Sequence, residues 1–195
     1  MKKSKLLIGA VSLAFVGTLV TGCDNSKTRS NVKDNKTTKT EEKNKLKAKC
    51  SAIECIKKIN VETTVEEVNK IIGVDGVLTD EKYNFYEYDL GNDEKITLKF
   101  YSSQKPTIIA DFDKDDIADK KVDLSKLTEL KSKVRSGITY DEFKAELGNT
   151  DGVLIEKSDS SNRYMWVSKK GGYVKATFRT SDNKCTFFSG YGDTK

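Results

Sequence analysis

The sequence predicts an α+β fold of two tandem units, each a helix-turn-helix plus an antiparallel meander, with the helices on one face of the sheet. Three observations carry that prediction. A ten-residue pattern occurs twice, from Thr64 to Gly73 and from Thr139 to Gly148, and self-similarity of this kind marks repeated supersecondary units. Each copy begins with Thr and has Glu three residues on, Glu67 and Glu142, the pairing by which a hydroxyl and a carboxylate satisfy the free amides of a helix start. Each copy is followed by windows that alternate apolar and polar residues, Ile96 to Phe100 and Val174 to Phe178, as half-buried antiparallel strands do.

In chain order, Met1 to Lys5 carries three lysines and Leu6 to Val20 is apolar apart from Ser12 and Thr18. That is the charge and hydropathy pattern of an export signal. Its apolar run of 15 residues falls short of the roughly 20 that span a bilayer, so residues 1–22 are expected to be removed. Residues 23–49 are rich in Lys, Thr, Asn and Ser with almost no large apolar side chain. Such a segment buries too little to offset ordering and reads as a flexible basic tether. Of the formal charge of +5, residues 1–22 contribute +3 and residues 23–49 a further +5, leaving −3 on the remainder. A mildly acidic domain lacks the basic stripe of a nucleic-acid binder, so no nucleic acid is expected as partner.

The remaining residues divide into a first unit, 50–116, and a second, 117–195. In each an amphipathic helix comes first, carried by Ile53, Ile56 and Ile59 and by Leu127, Leu130 and Val134. The capped helix follows, with Val68 and Ile72, or Phe143 and Leu147, on one face and Gly73 or Gly148 at its end. Asp75-Gly76-Val77-Leu78 is matched by Asp151-Gly152-Val153-Leu154, and Tyr86-Glu87-Tyr88 by Tyr164-Met165-Trp166. Gly91-Asn92-Asp93 and Lys170-Gly171-Gly172 read as hairpin turns. Last strands are expected near Thr107 to Phe112 and Thr186 to Phe188.

Two resemblances arise from these residues. Val20-Thr21-Gly22-Cys23 resembles a bacterial lipobox, which implies a diacylglyceryl group on Cys23, a stable membrane anchor and a location on the extracytoplasmic face of a Gram-positive cell membrane. Helix, turn, Thr-x-x-Glu, Gly, then Tyr-x-Trp and short strands resembles the repeat of the β-lactamase-inhibitory-protein-like fold, over about residues 50–193. That family includes domains of unknown function in Gram-positive lipoproteins, and the resemblance implies a concave sheet surface that holds a protein partner.

With Cys23 lipidated, Cys50, Cys55 and Cys185 are left, so one intramolecular bridge is possible. If Cys50 and Cys55 share a helix, their spacing points the side chains apart. A bridge from one of them to Cys185, with Cys55–Cys185 as the choice, is then expected.

The chain has no histidine, which removes the usual general base and zinc ligand. No phosphate-cradling glycine loop occurs, and neither an enzymatic activity nor a cofactor nor a metal is expected. Asp111, Asp113 and Asp115 stand at alternate positions as in a calcium loop, but Asp116 occupies the place of the turn glycine and Val122 that of the bidentate Glu. The stretch reads as a solvated acidic linker.

What remains is the open sheet face. If Ile96, Leu98 and Phe100, with Val174, Ala176 and Phe178, point at the helices, then Lys99 and Tyr101, with Tyr173, Lys175 and Arg179, point away. Tyr and Arg dominate interface energetics, so these five are the candidate partner-binding residues. Tyr88 and Trp166 belong either to that surface or to the core. The expected function is a lipid-anchored, non-catalytic protein-binding module; an envelope scaffold whose helices make the contacts, or an inhibitor of a β-lactamase-like enzyme, are the alternatives.

Overall fold

Ser51 accepts a hydrogen bond from the Glu54 amide while the Glu54 carboxylate accepts one from the Ser51 amide, and this reciprocal pair starts α1 (Ala52–Lys58). Thr64 with Glu67 and Thr139 with Glu142 start α2 (Val65–Ile72) and α4 (Tyr140–Glu146) in the same way. Gly73, at φ 87°, ends α2 in the left-handed conformation that a side chain would oppose. The remaining helix, α3 (Leu127–Arg135), begins at Lys126 without a side-chain cap. Seven to nine residues give about two turns each, too little to persist without packing. No described helix is long and apolar enough to cross a membrane.

The structure, a computed structural model, describes residues 47–101, 105–118 and 122–193. The expected signal segment, Cys23 and most of the tether lie outside the described residues. Four strands follow each pair of helices: β1 (Val77–Asp80), β2 (Phe85–Gly91), β3 (Glu94–Lys99) and β4 (Thr107–Asp111) after α2, and β5 (Val153–Lys157), β6 (Ser161–Val167), β7 (Tyr173–Arg179) and β8 (Cys185–Tyr191) after α4. They lie in chain order in one antiparallel sheet. The hairpin between β2 and β3 turns through Asn92 and Asp93, both at positive φ, as a two-residue turn matched to strand twist requires.

This architecture corrects the expected fold class. Instead of two helix-turn-helix-plus-meander units there is one continuous eight-stranded meander with four short helices, a sheet-rich fold. The reason is the pairing of β4 with β5, Ile108 opposite Lys157 and Ile109 opposite Glu156, which fuses the two runs of strands. In addition α1 packs across β3, β4 and β5 together, so its apolar face is shared by strands from both sides of the junction. Local periodicity carries no information on either contact.

Two apolar clusters lie on the helix side. One joins Ile56, Val68 and Ile72 to Tyr88, Ile96, Leu98 and Ile108; the other joins Leu130, Phe143 and Leu147 to Trp166, Val174, Ala176 and Phe178. A third cluster lies on the opposite side, where Ile117 covers Ile155, Met165 and Val167. Strand register places it there, because Met165 and Val167 alternate with the helix-facing Trp166. The connection from β4 to α3 is therefore more than an acidic linker. Its carboxylates face solvent, and Asp113 caps a single 3-10 turn, Lys114–Asp116, but Ile117 is 3% exposed.

The expected Cys55–Cys185 bridge is also corrected. Cys50 is bonded to Cys55, and Cys185 is a free, buried thiol. Cys50 precedes the cap Ser51, which is extended, so the two cysteines never share a helix and the spacing argument does not apply. Cys185 belongs instead to the second helix-side cluster, where burial pushes its thiol pKa up.

Candidate functional site

The side of the sheet away from the helices is set by register. Val77, Glu87, Thr97, Ile109, Glu156, Arg163, Thr177 and Phe187 form one row straight across all eight strands. Arg163, on β6, is the most engaged side chain of this row. Its guanidinium donates to Glu156 at 2.7 Å and to Thr177 Oγ1 at 2.9 Å, and lies 5.6 Å from the ring of Phe187. A second cross-strand pair, Glu87 with Lys95 at 3.8 Å, is solvent-exposed and worth little.

Lys99 and Tyr101 stand together beside β2. The Lys99 ammonium lies 5.3 Å from the Phe85 ring, and Tyr101 meets that ring edge-on at 5.3 Å. Tyr83 also lies 5.7 Å from Phe85, with Lys82 4.8 Å from the tyrosine ring. Tyr101 holds φ at 37°, an uncommon backbone for a residue with a side chain. Three rings and two cations thus make one patch.

Tyr173, Lys175 and Arg179 lie four strands away, roughly 19 Å at normal strand spacing. They are not brought together with Lys99 and Tyr101. Tyr173 is partly buried against the Ile117 cluster and packs on Tyr191 at 5.5 Å. The Lys175 ammonium reaches to 5.8 Å from the Tyr173 ring. Arg179, at the end of β7, pairs with Asp182 at 3.5 Å. With Phe187 and Arg163 they form a second aromatic and cationic patch on β6, β7 and β8.

Tyr88 and Trp166 are core residues and are removed from the candidate surface. Tyr88 is fully buried and donates to Asn69 Oδ1 at 2.9 Å; Trp166 is 2% exposed and its Nε1 donates to the Thr150 carbonyl at 2.8 Å. Each lies over a glycine. A Cβ on Gly76 would stand 2.5 Å from Tyr88, and one on Gly152 2.6 Å from Trp166. The two Asp-Gly pairs of the sequence are therefore seats for buried aromatics. Behind the second seat, the Tyr140 hydroxyl accepts from the Gly152 amide and donates to Asp151, and burial pushes its pKa up to about 12.

Sequence reasoning missed Tyr83, Phe85, Phe187 and Tyr191. The signal for Phe85 is present, since it alternates with the helix-facing Tyr86 and Tyr88; Tyr191 was lost because the last strand runs three residues past Phe188. Among the described residues no group of three or more carboxylate, cysteine or histidine side chains is placed to hold a metal ion.

Compared with models of known protein families, with curated proteins and with solved structures, the chain matches none.

Proposed function

We propose that the protein is a non-catalytic protein-binding module, anchored through a lipidated Cys23 on the extracytoplasmic face of the cell membrane, that grips its partner with the helix-free side of the sheet. One observation carries the reading. Of the six large apolar side chains most exposed among the described residues, Val77, Phe187 and Tyr191 belong to that side by strand register and Tyr83 and Tyr101 by their ring contacts with Phe85, and Leu78 alone to the other. Exposed aromatics beside Lys and Arg are what binding surfaces concentrate. The two patches lie far enough apart to engage two parts of one partner, and within the second Arg163 is held by Glu156 and Thr177.

Site-specific photo-crosslinking in intact cells tests this. A benzoylphenylalanine at Tyr101 or Phe187 is expected to give one discrete membrane-associated adduct, and the same probe at Glu66 or Lys131 on the helix side none. Cys23→Ser is expected to move the adduct out of the membrane fraction. Adducts from the helix-side positions alone would overturn the reading in favour of a scaffold that uses its helices.

A further inference from the structure

On the helix side, where β5 and β6 run past the end of α1, the fold leaves a groove of about 320 Å³ whose polar lining is Lys57, Lys58, Asn60, Lys157, Ser158 and Asn162. No carboxylate lines it. Residues 50–195 carry a net charge of −3, so three lysines converging without an acid run against the composition of the domain. Register explains how Lys157 comes to be there: it stands between Ile108 on β4 and Asn162 on β6, on the face that is otherwise apolar. The side chain is half-buried, and that burial depresses its pKa. Among the described residues neither Lys157, Lys57 nor Lys58 has an ion-pair partner.

A desolvated, unpaired ammonium is costly unless an anion joins it. The groove also offers neutral donors, the side-chain amides of Asn60 and Asn162. Three point charges around such donors suit a compact, multiply charged oxyanion better than a planar carboxylate, for which an Arg fork is the usual partner.

We propose that this groove is an oxyanion site that takes a phosphate group, with Lys157 beneath it and Lys57 and Lys58 at the rim. The phosphate is offered either free in solution or as a phospholipid headgroup. The site lies on the opposite face from the aromatic patches and is independent of them.

Titration of the full chain in neutral detergent with inorganic phosphate, followed by calorimetry against chloride of equal ionic strength, tests the first source; binding to phosphatidylglycerol vesicles against phosphatidylcholine vesicles tests the second. Lys157→Met keeps the stem and removes the charge, and is expected to weaken saturable binding about tenfold or more. Lys131→Gln, remote on α3, is expected to leave it unchanged. Should Lys157→Met not fold, Lys57→Gln with Lys58→Gln carries the same expectation. Saturable binding of either probe that depends on these lysines and not on Lys131 supports the site and names its source. Absence of saturable binding to both, or equal loss with Lys131→Gln, overturns it.

Discussion

Gly152→Ala tests the seat beneath the buried indole. The new Cβ would stand 2.6 Å from Trp166 Cζ2, 2.7 Å from Cε2 and 2.8 Å from Tyr164 Cβ, each well inside van der Waals contact. The indole has little freedom to withdraw, being packed on Phe143 at 5.0 Å and on Tyr140 at 6.0 Å. Overpacking of this kind costs about 1–3 kcal/mol. Any shift that relieves it draws Nε1 away from the Thr150 carbonyl, and a buried donor left unpaired costs about 1–3 kcal/mol more. The expected loss is about 3 kcal/mol, or about 6–12 °C in Tm for a domain of this size. Gly148→Ala supplies the control: its φ of +69° opposes a side chain, yet nothing lies within 4 Å, so only the left-handed penalty of about 1 kcal/mol applies. Trp166 is the sole tryptophan, so urea unfolding followed by its fluorescence reads the seat directly. A Gly152→Ala protein no less stable than Gly148→Ala would refute the reasoning.

Digestion with trypsin without reduction is expected to release Cys50–Lys57 as one peptide two hydrogens lighter than its reduced form, and Cys185 in a separate peptide as a thiol; a peptide joining Cys55 to Cys185 would refute the observed pairing. Reduction of this short loop is expected to cost about 2 kcal/mol on the chain-entropy estimate, read as a lower urea midpoint. Alkaline pH is expected to destabilise the fold. Burial raises the pKa of Tyr140 to about 12 and those of Tyr88 and Tyr164 in the same direction, against about 10 when unfolded. Above pH 10 the unfolded chain therefore holds fewer protons, so stability present below pH 10 falls as pH rises towards 12. The raised pKa of the buried Cys185 thiol adds to the fall, and the depressed pKa of Lys157 works the other way just below its ordinary value, one buried group against four. A urea midpoint that is flat or rising from pH 9 to 11 would contradict this, and Tyr140→Phe is expected to shallow the decline.

Much of the local structure was legible because it is written in short spacings. Thr64 with Glu67 and Thr139 with Glu142 are local pairs, and the helix starts lie where they stand. The alternation around Ile96 and Val174 placed those residues inside and Lys99 and Lys175 outside. The rest depends on contacts between distant residues. Nothing near Ile109 announces Glu156 as its neighbour, so the fused sheet was illegible. Likewise, nothing in Lys114–Ile117 says that the chain will cross to the far side and press Ile117 onto Met165. The bulge between Leu154 and Glu156 turns both Ile155 and Glu156 to that side, which strict period-two reading cannot anticipate. The candidate surface suffered most, because residues that share a face in sequence lie four strands apart in space.

The junction of β4 and β5 has a kinetic consequence. Six of the seven strand pairings join strands separated by seven residues or fewer, and only this one closes over a long stretch of chain that includes α3 and α4. Turn-closed hairpins form quickly, whereas bringing Ile108 and Ile109 against Lys157 and Glu156 carries the entropy of a long loop for two residue pairs of reward. The apolar underside of α1, spread over β3, β4 and β5, supplies the compensating burial at the same moment. Docking of β5 beneath that helix is thus the step expected to limit the folding rate, and Ile108→Ala is expected to slow refolding more than it speeds unfolding, which stopped-flow refolding measures.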